Sequence, residues 1–269
     1  MSLLSDVRGS RELLVNLTLR EVRGKYKRTA LGQGWSLLNP LVQMAIFTVV
    51  FGVLIKVTPD RGDPSGLDVF ALWLVSGLLP WAFFANAVNG GMGALIGNAN
   101  LINKVYFPRE TLVLSTVFSW NVSFAIELAV LTAVLLVFGG SPLLFLPLVV
   151  VAVVLLTAFS LGIALALSVA NVYFRDTQHF MALFMQLWFY ATPIVYPYRY
   201  VQENASPTVE RLYRLNPMER FVTVFRNLLY DNRLPALSDA VFVVLAAAVA
   251  LVVGWWVFRR YEGRLAEEL

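Results

Sequence analysis

One group able to do chemistry stands far inside an apolar run. Glu127 follows Glu110 by seventeen residues and precedes Phe138 by eleven. A carboxyl group at that depth is costly in hydrocarbon and by default marks function. Two readings are open: Glu127 lines a polar path, or in neutral form it bonds Asn121, Ser123 or a neighbouring helix. No second acid or histidine stands near it to complete a proton relay. His179, the single histidine, reads as a polar group at the membrane interface. Cysteine is absent, which removes disulfides, thiolate metal sites and cysteine nucleophiles. No Ser/His/Asp set, paired carboxylates or metal-ligand spacing is visible, and no GxxxxGK[ST] loop occurs. If ATP drives this protein, the ATPase is another chain.

The remaining chemical signal is aromatic. Phe47, Phe51, Trp73, Trp81, Phe83, Phe84, Phe118, Trp120, Phe124, Phe184, Trp188, Phe189 and Tyr190 lie within apolar runs, several too deep for a headgroup belt. Aromatic faces stack on the C–H faces of sugars, so a lined path suits a glycan; plain packing is the competing reading.

The 269 residues are 58% hydrophobic and 14% charged. Globular domains carry about 25% charged residues, so the depletion indicates a chain built for lipid. The basic excess, 21 against 17, is not gathered into one domain and suits anionic headgroups rather than nucleic acid. A span needs about 20 apolar residues. The candidates are 38–57, 68–90, 110–138, 142–170, 178–197 and 236–258. The third and fourth meet at Gly139-Gly140-Ser141-Pro142, a helix stop followed by a helix start. The fold expected is an all-α integral membrane protein of six transmembrane helices. Residues 1–37 form a cytosolic or interfacial segment without a signal-peptide pattern, and 259–269 form a cytosolic tail.

Thirteen Lys/Arg in 1–37, 91–109, 171–177 and 259–269 stand against Lys56 and Arg61 at the first outer loop. The positive-inside rule then places both termini in the cytoplasm. The segment 198–235 argues the other way with six arginines, offset by four acids. Within 1–23, Leu13, Leu14 and Leu17 share one face, as in a helix lying on the membrane or packed on a neighbour. The loop 91–109 is either a docking knob or an ordinary connection. Asn216-Pro217 divides 198–235 into two short external helices, read either as an exit gate or as a cap. Small residues recur at spacing four in the fourth span (Ala158, Gly162, Ala166, Ala170) and in the sixth (Ala246, Ala250, Gly254). They favour close helix approach in a compact bundle, with a homodimer as a further expectation.

Arg20 to Tyr26 followed by Leu31-Gly32-x-x-Trp35-x-x-Leu38-x-Pro40-Leu41 resembles the start of permease subunits of type-two polysaccharide-export ABC transporters. These export O-antigen, teichoic acid, capsule and related cell-envelope polymers. Lys104-x-Tyr106-Phe107-Pro108-Arg109-Glu110, Asn171-x-x-Phe174-Arg175-Asp176, Thr192-Pro193 and Leu215-Asn216-Pro217 extend the likeness along the whole chain. The resemblance implies a bacterial inner-membrane permease, paired with a second copy of itself and two nucleotide-binding ATPase subunits. ATP and Mg would be held by those subunits, none by this chain. It places coupling to the ATPase on Asn103, Lys104, Tyr106, Phe107, Arg109, Arg175 and Asp176. A lipid-linked glycan would pass Trp35, Phe47, Phe51, Glu127, Phe184, Trp188 and Tyr190. An external gate would include Arg211, Arg214, Phe221 and Phe225. The rival readings are a drug or small-lipid exporter of the same fold, and a polyprenyl-lipid transferase, which would need an interfacial cluster of acids.

Overall fold

The computed structural model describes residues 11–25, 27, 29, 30, 32, 34–57, 61–105 and 107–268. Tyr106, Tyr26, Arg28, Leu31 and residues 1–10 of the expected N-terminal helix lie outside them. Among the described residues the chain is helical and has no strand.

Among the described residues, four helices combine the length and apolarity needed to cross a bilayer: Phe70–Gly97, Glu110–Val137, Pro142–Tyr173 and Leu237–Arg264. In chain order, α1 is Arg11–Lys25. Gly34–Phe47 is α2, running on as a π-helical stretch over Thr48–Leu54. Phe70–Gly97 is α3 and Ala99–Ile102 is α4. Glu110–Val137 is α5. After a 3-10 turn at Pro142–Phe145 comes α6, Leu146–Tyr173. Thr177–Tyr190 is α7. Tyr198–Asn204, Pro207–Arg214 and Pro217–Arg226 are α8, α9 and α10, the last followed by a π turn at Asn227–Asp231. Leu237–Tyr261 is α11 and Leu265–Glu268 is α12.

The turn between the third and fourth spans stands where the sequence puts it, with Gly139 at φ +90° and Pro142 opening the next element. Three boundaries move. The second span continues to Gly97, because Gly90, Gly91, Gly93 and Gly97 follow an unbroken apolar stripe; Gly91 lets α3 close on Ala164 of α6. The connection to the third span therefore starts at Asn98 instead of residue 91. The fifth apolar run yields only the 14 residues of α7, about 21 Å of helix, short of a core about 30 Å thick. Pro193 stops it, since proline has no N–H to continue the ladder. The segment 198–235 forms three short helices and a π turn rather than two helices.

The tightest contact in the bundle joins α6 to α11. A Cβ on Gly254 would fall inside the Gly162 carbonyl, and one on Gly162 would strike the Ala250 backbone. The two small-residue faces thus pack on each other within one chain, which removes them as a surface for a second copy. Close approach is the main source of helix association in lipid, where burying apolar area gains nothing. Around this pair, α3, α5 and α10 complete the core, with Phe84, Phe124, Phe221 and Phe225 fully buried. By contrast α2 and α7 are rim elements. No described side chain of α2 is buried, and α7 buries only Met181 and Met185.

Gly254→Ala is expected to force the α6–α11 contact apart at a cost of about 1–3 kcal/mol. It should lower the thermal midpoint of the detergent-solubilised protein, whereas Gly263→Ala, which has open space around it, should not. Equal midpoints for both variants would contradict the packing.

Candidate functional site

The shallow packing of α2 and α7 leaves a groove between them and α3, with a volume of about 340 Å³. Phe47 of α2, Trp81 of α3, and Phe189 and Tyr190 of α7 line it. Phe47 stacks on Phe189 at 5.9 Å between ring centroids, and Trp81 meets Phe189 edge-on at 5.7 Å. The series continues inward through Trp188 to Phe84 (5.1 Å) and outward through Phe184 (5.3 Å). Such tilted and stacked pairs hold aromatic faces in place beyond what area burial alone does. Three amides share the groove: Gln43, Asn86 and Gln186, one from each helix and all exposed. Moving an amide from water into hydrocarbon without a partner costs ~4–8 kcal/mol. A face carrying three of them at membrane depth is poorly suited to lipid tails.

A network the sequence reading did not assemble fixes the end of α7. The Asn216 side chain caps α10 by accepting from Met218 N (3.0 Å), and it also accepts from Trp188 Nε1 (2.7 Å). Its amide nitrogen donates to the Ala191 carbonyl and to Thr192 Oγ1, both at 3.0 Å. Arg226 donates to the Pro193 and Ile194 carbonyls (2.7 and 2.6 Å) and lies 3.8 Å from the Trp73 ring centroid. Gly77 makes the room, since a Cβ there would come within 2.7 Å of the guanidinium. Thr192-Pro193 and Asn216-Pro217, separate motifs in sequence, are one joint in space.

Of the residues assigned to a substrate path, Phe47, Phe51, Phe184, Trp188 and Tyr190 belong to this aromatic series. Glu127 does not. It lines a different, apolar cleft of about 250 Å³ with Leu41, Met44, Leu72 and Val134. Lys25 at the end of α1 lies 3.3 Å from the Trp120 ring centroid on the same helix as Glu127. Burial pushes the Lys25 ammonium down to about 7, opposed by the Glu21 and Glu127 carboxylates. Trp35 is partly exposed on α2. α1 itself packs along α5 through Leu14 and Leu17, and Arg20 donates to Asn98 Oδ1 at 2.6 Å.

Helix polarity places Gly97, Glu110, Tyr173, Thr177 and Tyr261 at one end of the bundle. There Asn103, Lys104, Arg175 and Asp176 are exposed, Phe174 is 69% exposed, and Phe107 and Arg109 are half-buried. Arg109 donates to the Glu262 carbonyl. Glu110, 1% exposed, pairs with Arg259 at 3.0 Å, and Arg259 also pairs with Glu262 at 3.1 Å. Tyr261 meets Tyr173 at 6.0 Å, and Leu265 is fully buried. The chain's last turns thereby bridge the 98–109 segment and the end of α6.

At the opposite end, Arg211 and Arg214 are exposed, Arg214 pairing with Glu210 at 3.2 Å and donating to Tyr198 Oη at 3.2 Å. Phe221 and Phe225 carry core packing against Phe159 and Phe124. Glu219 and Asp239 flank Arg220, and burial raises the Glu219 carboxyl to about 7 against the pull of Arg220.

Residues 12–230 match the ABC-2 type transporter family. The O-antigen export system permease protein RfbA of Myxococcus xanthus is 31% identical over 257 residues, 96% of this chain and 94% of that protein. A Klebsiella pneumoniae protein of the same name is 29% identical over 263 residues, 96% and 95% of the two chains. The polysialic acid transport protein KpsM of Escherichia coli is 22% identical over 249 residues, covering 91% and 92%.

Removing one partner from a buried ion pair costs about 3–5 kcal/mol, and less where, as for Arg259, the partner is a third exposed. Arg259→Ala should therefore free the segment after Tyr261 for tryptic cleavage at Arg264 while the core stays intact. An unchanged digestion pattern would contradict the latch.

Proposed function

We propose that this chain, which belongs to the ABC-2 type transporter family, is the membrane permease of an exporter that carries a lipid-linked cell-envelope glycan out of the cytoplasm. It is a multi-pass transport subunit rather than an enzyme, and it works with a separate ATPase. The observation that carries the substrate class is the groove between α2, α3 and α7. Its aromatic rings offer faces to sugar C–H surfaces, and its amides offer donors and acceptors to hydroxyls. A polymer moves through many equivalent positions, so weak and repeated contacts of this kind suit it better than one tight site. The names of the relatives, O-antigen and polysialic acid transporters, point to the same class.

In this reading the protein sits in the bacterial inner membrane with both termini cytoplasmic. The thirteen basic residues that the sequence carries in 1–37, 91–109, 171–177 and 259–269 support that orientation. The helical run 34–54 and α7 with the buried Ile194–Val195 segment complete six passes, the last two incomplete as simple helices. α1 lies along the cytoplasmic surface while packing on α5. The groove is open on the single chain, and a second copy facing it closes a path between the two permeases. The exposed Asn103, Lys104, Phe174, Arg175 and Asp176, with Phe107 beside them, receive two ATPase subunits, which bind ATP and Mg. α8 to α10 cover the outer end as the gate region, with Arg211 and Arg214 on its surface.

Replacing Asn86 and Gln186 with leucine separates this from a lipid-facing groove. For a polymer path, export of the accumulated polymer should fall at least tenfold with bundle stability unchanged. For a lipid face, leucine would be neutral or stabilising and export would persist. A second expectation concerns coupling. Phe107→Ala and Arg175→Ala should leave the ATPase bound but uncouple hydrolysis from export, and unimpaired export in both would remove the coupling assignment.

A further inference from the structure

A cavity of about 490 Å³ lies against α1, at the end of the bundle that holds Gly97 and Glu110. Asn16, Leu19, Arg20, Arg23, Gly24 and Lys27 line it, all of them exposed.

Helical spacing sorts the residues of α1. Leu14, Leu17 and Lys25 fall on the face turned to α5, where Lys25 lies over Trp120. Asn16, Arg20 and Arg23 fall on the opposite face. Lys27 joins them after a turn in which its N–H donates to the Gly24 carbonyl at 3.2 Å. Arg20 is fixed before any ligand arrives, donating to Asn98 Oδ1 at 2.6 Å and to Glu21 at 2.9 Å. A site held in place this way loses little entropy on binding.

Charge selects the ligand. Three cations line the cavity and, among the described residues, no acid does. Glu21 pairs with Arg20 from outside the lining. Counted in full against the set, it still leaves a surplus of two positive charges. Glu12, the other acid of α1, stands eleven residues before Arg23, about 17 Å along the helix. A phospholipid with one phosphodiester carries a single negative charge, whereas a diphosphate diester carries two. Arginine and lysine side chains are the groups that bind such oxygens.

Position points to the same ligand. Asn98, bonded to Arg20, stands about 18 Å of helix from Asn86 in the groove. The chain after Lys27 enters α2, whose Gln43 and Phe47 line that groove. A headgroup held at the cavity thus leaves an attached glycan beside the groove. We propose that the Arg20, Arg23 and Lys27 face of α1 binds a diphosphate that joins the exported glycan to its lipid. The proposal rests on the reading of the protein as a glycan exporter and adds to it the point at which substrate is first held. In the orientation given above, that point faces the cytoplasmic leaflet.

The test uses the full-length permease in phosphatidylcholine nanodiscs and equilibrium binding of two probes, farnesyl-diphospho-N-acetylglucosamine and farnesyl-phospho-N-acetylglucosamine. Tail and sugar are the same, so a difference reads the second phosphate. The diphosphate probe should bind at least tenfold tighter. Arg23→Ala and Lys27→Ala should each weaken its binding about fivefold. Arg20 is left in place, because its loss would also release α1 from Asn98. Arg11→Ala, which removes an exposed cation of α1 outside the cavity, should leave the preference intact. Unchanged thermal midpoints show that the variants fold. Equal binding of the two probes, or a preference untouched by both cavity variants, would overturn the site. Loss of the preference in nanodiscs doped with cardiolipin would assign the face to phospholipid and overturn it too. A permease with no preference that still exports polymer with its ATPase loses the site and keeps the function. One that shows the preference through Arg23 and Lys27 but exports no polymer loses the function instead.

Discussion

The helix break at 191–194 is the constraint on which the rest of the structure depends. A chain inside a bilayer that leaves helical geometry exposes carbonyls that water cannot reach, each at a cost of several kcal/mol. Here the Asn216 amide takes the Ala191 carbonyl, and the Arg226 guanidinium takes those of Pro193 and Ile194. Thr192 donates its hydroxyl back to the Trp188 carbonyl at 2.8 Å. With these groups satisfied, α7 can end after four turns and Ile194 and Val195 can be buried. The outer helix α10 is then both a lid and a support. Its N-cap asparagine and its last arginine hold the two sides of the same break.

Two tiers of packing follow. In the inner tier, α6 and α11 approach to backbone contact, and Phe83 stacked on Phe124, with Phe225 edge-on to it, locks α3, α5 and α10 around them. Single methyl groups matter there, and the tier acts as a rigid body. In the outer tier, α2 and α7 present most of their apolar side chains outward and meet α3 through a few rings and the groove. An exporter needs one surface that stays still and one that gives way as a bulky chain passes. In the proposed function the inner tier is the surface that stays still and the outer tier the one that gives way. The latch of Arg109, Glu110 and Arg259 joins the last span to the 98–109 segment, so a push there reaches the inner tier directly.

Much of this was legible in the amino-acid order, for physical reasons that differ by element. The long spans and the turn at Gly139 announce themselves because lipid demands unbroken apolar runs and a positive φ favours glycine. The overrun of α3 to Gly97 was hidden because a Gly-rich helix after residue 90 reads equally as a separate connecting element; Gly90 and Gly91 in fact admit Trp120 and Ala164 within one helix. The small residues of α6 and α11 were visible, but spacing cannot say whether their partner is the same chain or another. Phe47, Trp188 and Tyr190 came out of the aromatic pattern. Their companions Gln43, Asn86 and Gln186 gain meaning only when three separate helices bring them to one groove. Glu127, the most conspicuous residue in the sequence, lies apart in an apolar cleft, because depth along a helix does not specify the direction a residue faces.

The central claim is that the α2–α3–α7 groove is a polar path in the assembled transporter rather than a lipid face. The chain has no cysteine of its own, so single cysteines at Gln43, Asn86 and Gln186 can be probed with a charged, membrane-impermeant maleimide in the intact permease–ATPase complex. All three should label during turnover, while cysteines at Val244 and Val249 on the exposed apolar face of α11 should not. Groove positions as unreactive as those two would contradict the account.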